Sequence, residues 1–390
     1  MNASDFTFEP RAKVVGRLRV LAGVGVITLV TGLVWAPQRI WPNLLLVSYY
    51  LLGLSLAGMA WLAIQSVSGA HWSTVLRRVP EAMAGVLPLG AIGILAVFAF
   101  HPSIYSWTKG LLIEGDAPGF KQLWLSLPFF RIRAIVYLIG WLGFSRIMLS
   151  ISRQQDANGE ISHTHRNATL SALFLVFFGI TFWLASFDWI MSLEPEWYST
   201  IFGFYNFAGA FLSGLSVLTL LLVWLQRNSP LKDVIRDDHL RDVGKLLFAF
   251  STFWAYLWFS QYMLIWYANL PEETVYYVRR LHGFWQPLFV LNLSLNWIVP
   301  FFALLPRVNK QRVEILVRIA IVLLAGRWLD LYLMIMPTFS GEKPQIGVWE
   351  IGLVAGLVGA FGLGVLAALK RAPLVPVRDP YLTESLHYHA

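Results

Sequence analysis

The 390 residues are 57% hydrophobic and 15% aromatic, only 13% are charged, and the mean hydropathy is +0.60. That composition is far too apolar for a soluble domain of this size and predicts an all-α integral membrane protein. The formal charge of +8 is accounted for by basic loops beside a membrane rather than by nucleic acid, and the absence of cysteine excludes disulfides, thiolate-bound iron-sulfur clusters and C-x-x-C-H haem attachment within this chain.

From the amino terminus, residues 1–10 are polar and acidic, so no cleavable signal is expected. About 20 apolar residues are needed to cross about 30 Å of hydrocarbon. Ten stretches qualify, at 15–36, 43–65, 82–101, 127–150, 168–190, 200–225, 245–268, 284–305, 314–336 and 347–369. Pro88, Pro128, Pro287 and Pro300 lie within or beside them and are expected to bend helices that neighbours in a bundle support. No linker divides the chain, which reads as one integral domain over residues 1–390, built as two packed bundles.

Basic residues set the orientation. Arg11, Lys13, Arg17 and Arg19 precede the first span, and Arg77, Arg78, Arg153, Arg166, the run from Arg227 to Lys245, Arg307 to Arg312, and Lys370 to Arg378 fall in alternate connections. The opposite loops hold only Arg39, Lys109, Lys121, Arg279, Arg280 and Lys343. Both termini are therefore expected in the cytoplasm.

With that orientation, the polar residues crowd toward the outer half. An ionisable side chain at membrane depth costs about 2.5 to 3.5 kcal/mol on insertion scales, so each one calls for a reason. Asp188 closes the fifth span; it reads equally as a proton acceptor of restricted hydration and as a helix cap or an arginine's partner. Glu194 and Glu196 follow in a short loop and are expected in water, with Trp189, Trp197 and Tyr198 in the interfacial aromatic belt.

Gln261 and Tyr262 end the seventh span, where each singly suits helix-to-helix hydrogen bonding and the set suits a water chain. Arg327 and Asp330 are three apart in the ninth span, so they share a face and can neutralise one another as a structural pair or as relay members. Glu314 and Arg318 have the order of a supporting pair, and Glu350 opens the tenth span. His282, where loop becomes helix, reads as a proton relay or a hydrogen-bonded structural residue. A b-type haem needs histidines deep in helices, and the eight here (His71, His101, His163, His165, His239, His282, His387 and His389) lie in loops, helix ends and tails. No phosphate loop, metal cluster or nucleophile elbow is present, and Gly352, Gly356 and Gly359 have helix-packing spacing.

Three segments carry a family likeness: Ser186-Phe-Asp-Trp-Ile-Met-Ser-Leu-Glu-Pro-Glu-Trp-Tyr-Ser-Thr-Ile-Phe-Gly203, Trp266-Tyr-Ala-Asn-Leu-Pro-Glu-Glu273 and Asp330-Leu-Tyr-Leu-Met-Ile-Met-Pro337. Over essentially all ten stretches the chain resembles the ActF subunits of alternative complex III, within the NrfD and polysulfide-reductase membrane-anchor superfamily. The resemblance implies a bacterial inner-membrane complex that oxidises quinol, often menaquinol. Its electrons pass through iron-sulfur clusters and haem c on partner subunits to a cytochrome c or a terminal oxidase.

Implied partners are an ActC-like membrane subunit, an ActB-like iron-sulfur subunit, multihaem and monohaem cytochrome c subunits, small membrane subunits and lipids. It also places Asp188, Gln261, Tyr262, Arg327 and Asp330 in a candidate proton route, without establishing a quinone contact. A quinone-binding subunit and a purely structural anchor are the alternatives. A secondary transporter would place its polar groups near the midplane, which the one-sided pattern opposes.

Overall fold

The computed structural model describes residues 6–110 and 119–389, apart from the side chain of Asp233. The first half of segment 1–10, where no cleavable signal is expected, thus lies outside the described residues. In chain order the helices are α1 (Ala12–Trp35), α2 (Pro37–Val67), α3 (Arg78–Ala84), α4 (Leu87–Phe100), α5 (Phe120–Trp124), α6 (Leu127–Asn158), α7 (Ile161–Trp189) and α8 (Phe202–Asn228). They continue as α9 (Asp237–Ala268), α10 (Pro271–Leu281), α11 (Gln286–Leu293), α12 (Val299–Leu304), α13 (Val313–Ile335), α14 (Pro337–Ser340), α15 (Val348–Leu369) and α16 (Leu382–Leu386). No strand occurs among the described residues.

All ten expected stretches are helical. Eight spans are long and apolar enough to cross a membrane: α1, α2, α3 with α4, α6, α7, α8, the segment 283–304 and α15. The other two differ for a visible reason, since α13 carries Glu314, Arg318, Arg327 and Asp330, and α9 intersperses tryptophan, tyrosine, serine and glutamine.

Two spans are interrupted. The third breaks between α3 and α4 just before Pro88. The eighth passes from α11 through a π turn at Ser294–Ile298 into α12. Pro300 has no N–H, so the carbonyl of Asn296, four residues back, loses its helical donor. The Ser251 hydroxyl of α9 donates to that carbonyl at 2.6 Å, so a neighbouring helix restores what the proline removed.

In the centre, α2 and α8 have 94% and 83% of their apolar windows buried, whereas α1 has 17%. α2 packs on α3, α4, α7 and α8, and α8 also packs on α9 and α13. α1 meets chiefly α15 and turns Val20, Ile27 and Val34 outward, as suits a hydrocarbon-facing edge.

The α1–α15 seam depends on Gly25 and Gly356. A Cβ on Gly356 would lie 2.7 Å from the Gly25 Cα, closer than any side chain is accommodated. Gly356→Leu should therefore push α1 off α15, seen as a lower thermal midpoint in detergent and faster proteolysis near residue 36; unchanged values for both would show the seam to be dispensable.

Two local expectations are corrected. Trp189 and Trp197 are buried, at 0% and 4% exposure, because they pack inside the bundle rather than in an interfacial belt; Tyr198 is exposed. Glu314 is held near Arg227, at 3.5 Å and in the open, not by Arg318. Both ends of the chain meet at one face, where the Leu374 amide donates to the Phe6 carbonyl at 3.0 Å.

Candidate functional site

Three carboxylates are each clasped by an arginine from another turn or another helix. The first is Asp188, near the end of α7. Arg133 of α6 grips it with both prongs, Nε to Oδ2 at 2.9 Å and Nη2 to Oδ1 at 2.7 Å. The Trp124 indole donates to Oδ1 at 2.9 Å and the Tyr137 hydroxyl to Oδ2 at 3.2 Å. Arg133 and Tyr137 are one helical turn apart and so approach from one face. The remaining Arg133 nitrogen donates to the Trp124 carbonyl at 2.9 Å, and its guanidinium lies 4.0 Å from the centre of the Trp124 ring. Of the two readings of Asp188, the arginine partner is present in the geometry; both charges are desolvated and both are compensated.

The second centre is Asp330, where four elements converge. Arg327, one turn earlier on α13, donates to Oδ2 at 2.7 Å, and the Trp254 indole of α9 reaches the same oxygen at 3.3 Å. Oδ1 accepts from the Tyr205 hydroxyl of α8 and from Asn292 Nδ2 of α11, the latter at 3.1 Å. Arg327 also donates to Asn206 Oδ1 at 3.0 Å. This needs Gly209, because a Cβ there would lie 2.4 Å from Arg327 Nη1. The expected Arg327–Asp330 pair is thus present and sits in a larger buried network.

The third centre corrects an expectation. Glu194 is not a carboxylate in water; its side chain is 12% exposed and bound to Arg280 at 2.7 Å, with Arg279 at 3.5 Å. Pro337 explains why an arginine is buried there. Lacking an N–H, it frees the Leu333 carbonyl at the end of α13, and Arg280 Nε donates to that carbonyl at 2.8 Å while Nη2 reaches the Met334 carbonyl at 3.3 Å. Nη1 donates to the Tyr276 carbonyl at 2.8 Å, and the guanidinium rests 3.4 Å from the centre of the Tyr276 ring. The α9-to-α10 corner that presents Arg280 is written locally: Asn269 takes the left-handed conformation at φ 50°, and Pro271 begins α10.

Two spaces adjoin these centres. A cleft of about 950 Å³ is lined by Trp124, Asp188, Glu194, Glu196, Trp197, Glu272, Glu273, Tyr276 and Arg279 among others. A cavity of about 20 Å³ lies behind it, between Tyr205, Gln261, Tyr276, Tyr277, Arg280, Asn292 and Asp330. That is room for about one water, with polar side chains on part of the wall and Trp258, Phe289, Leu333 and Met334 on the rest. Tyr276 borders both spaces, and Arg280 links Glu194 at the cleft to the wall of the cavity.

The structure therefore brings Gln261 and Asp330 together. Gln261 donates to the Tyr277 hydroxyl at 3.1 Å and accepts from Ser199 at 3.4 Å. Tyr262 sits one shell out, its ring edge-on to Tyr277 at 5.2 Å and bordering neither space. His282 is exposed and makes no hydrogen bond to any described residue, so it is not joined to this network. Asp188 borders the cleft but not the inner cavity.

Burial pushes the Tyr276 phenol up to about 12, with Arg280 opposing and Glu194 and Asp330 adding, and raises Tyr277 further. Both hydroxyls stay protonated at neutral pH and remain hydrogen-bond donors. Sequence reasoning missed Arg133, Arg280, Tyr205, Asn292 and Tyr276 as members. For Arg280 a usable signal was its place in a loop counted as outer, since a sparse cation on that side needs a reason; for Arg133 it was a charge inside the fourth apolar stretch.

No family model matches the chain, and no curated protein matches it. The fold is that of an all-helical chain whose described residues include eight helices long and apolar enough to cross a membrane, as in a multi-pass membrane protein.

Proposed function

We propose that the chain is an integral subunit of a quinol-oxidising respiratory complex of the alternative complex III kind and carries a proton half-channel. In this reading all ten long helices cross a bacterial inner membrane in two packed bundles, with both termini cytoplasmic. Menaquinol or another quinol is the substrate of the complex, and haem c and iron-sulfur clusters reside on partner subunits.

One observation supports the proton role above the others: a polar series runs from the open cleft through Glu194, Arg280 and Tyr276 to a water-sized cavity at Asp330. In this scheme Asp330, on the wall of that cavity, is where the proton stops, beside the paired cation Arg327. Asp188, twice bonded by one guanidinium, serves in this scheme as the brace that holds α6 to α7 at the cleft wall.

The test uses the purified complex, identified by its haem spectrum and subunit composition, in sealed vesicles. Asp330→Asn, isosteric and non-titrating, should keep quinol oxidation within about twofold while lowering the protons released per electron. An unchanged proton yield would remove the half-channel, and a colourless chain that purifies without partners would remove the complex.

A further inference from the structure

At the opposite end of the bundle from the cleft, a crevice of about 60 Å³ lies between the end of α2, α3, α6, α7 and the carboxyl-terminal segment. Gln65 and Asn167 turn buried side-chain carbonyl oxygens into its walls, and neither has a donor from the protein. Thr74, Thr164 and Glu81 add further polar atoms, so the space suits about four waters rather than apolar filling. Tyr381 closes it, stacked on His71 at 3.5 Å with the rings 9° apart.

The segment that carries Tyr381 is fastened along its length. Asp379 pairs with Arg77, and Glu384 approaches His71 at 3.2 Å. The Ser385 hydroxyl donates to the Trp72 carbonyl at 2.6 Å and accepts from the Val75 amide at 3.1 Å. Tyr388 donates to Asp242 at 2.6 Å. The deepest fastening is His239, fully buried near the start of α9 and before the apolar stretch 245–268. Its Nδ1 accepts from the Arg236 amide at 3.1 Å, and its Nε2 lies 3.1 Å from the Ser385 carbonyl. A carbonyl can only accept, so Nε2 carries the proton and the ring is neutral.

We propose that residues 379–389 form an acid-released lid over this crevice, with His239 as its latch. A second proton on the ring would sit on Nδ1, facing the Arg236 N–H, at the positive end of α9. It would break the α9 cap and set a cation beside Arg236. The charged groups around it have partners of their own: Asp238 pairs with Arg241 at 2.9 Å, and Asp242 with Lys245 at 2.6 Å and with Tyr388. From the lid, Glu384 with His71 of the facing loop and His389 with Asp238 at 3.7 Å gain from protonation, but these pairs are exposed and contribute little. His387 donates to the Thr383 carbonyl within the lid and keeps that bond when charged.

Burial depresses the His239 pKa below its ordinary value, consistent with this geometry. The folded ring thus binds its proton less readily than the released one. The latch's contribution to closure is complete above about pH 6.5 and declines as pH falls below it.

Hydrogen exchange of the complete chain in nanodiscs, corrected for intrinsic rates, tests the lid. Between pH 7.5 and 5.5 the opening of amides at 382–388 should rise by up to about tenfold, the ratio set by a released histidine of ordinary pKa. His239→Gln keeps an acceptor and a donor without titrating and should flatten this response; equal protection at both pH values in the native chain, or an equal rise in the variant, overturns the latch. Should that variant fail to fold, the cysteine-free chain allows Asn167→Cys as a reporter. Its labelling relative to an exposed Glu160→Cys control should climb on acidification, and a constant ratio would overturn the lid.

Discussion

Arg133→Ala should lower stability by about 3–5 kcal/mol, the largest single-residue effect expected at the cleft, because it leaves the Asp188 carboxylate desolvated with no cation. The loss has two parts. The fork of paired hydrogen bonds disappears, and so does the stacked guanidinium that joins Trp124 to α6. Replacing both partners with leucine should recover most of the loss, since an apolar pair has no charge to strand. Equilibrium unfolding of the two variants in detergent decides it, and a single variant as stable as the native chain would mean Asp188 finds water through the cleft. Asp188→Asn should cost less than Arg133→Ala, because the amide still accepts from Arg133 and the arginine keeps its bond to the Trp124 carbonyl.

Arg280→Met should be comparably severe, about 3–5 kcal/mol, and for a different reason. Four acceptors depend on that one guanidinium: Glu194 and the carbonyls of Leu333, Met334 and Tyr276. Leu333 has no replacement donor, because residue 337 is proline. Arg280→Lys restores the charge but not the fork and should recover only part of the stability. Exchange at residues 333–336 and along α10 should rise in both variants, more in the methionine. If only α10 loosens, the carbonyl repair at Pro337 is not what this arginine does.

The same device appears twice. Pro300 frees a carbonyl that Ser251 takes, and Pro337 frees one that Arg280 takes. Proline in a span is tolerable where a neighbouring helix lends a donor, and the donor's helix is thereby pinned in register. The three arginine–carboxylate centres pin the bundle likewise, joining α6 to α7, the 194 loop to α10 and the end of α13, and α13 to α8, α9 and α11. Glu350 repeats the pattern at the start of α15, bound to Arg39 at 2.6 Å and Asn43 at 2.9 Å of α2.

What the residues alone determined is whatever depends on neighbours in sequence. Hydrocarbon thickness makes span length a local property, so ten helical stretches were legible from apolar runs, and spacing along one helix made the Arg327–Asp330 pair legible too. Glycine spacing marked α15 as a close-packing helix for the same reason, whereas its partner, α1 through Gly25, appeared only in the tertiary structure. Which carboxylate meets which arginine was decided only by the tertiary structure, since Arg133 lies 55 residues from Asp188 and Arg280 lies 86 from Glu194. Glu194 and Trp197 read as surface residues because a short loop beside a membrane is ordinarily wet. Trp197 is buried and Glu194 largely covered because α10 and the end of α13 fold over that loop, and a chain's own sequence gives no local sign of what will cover it.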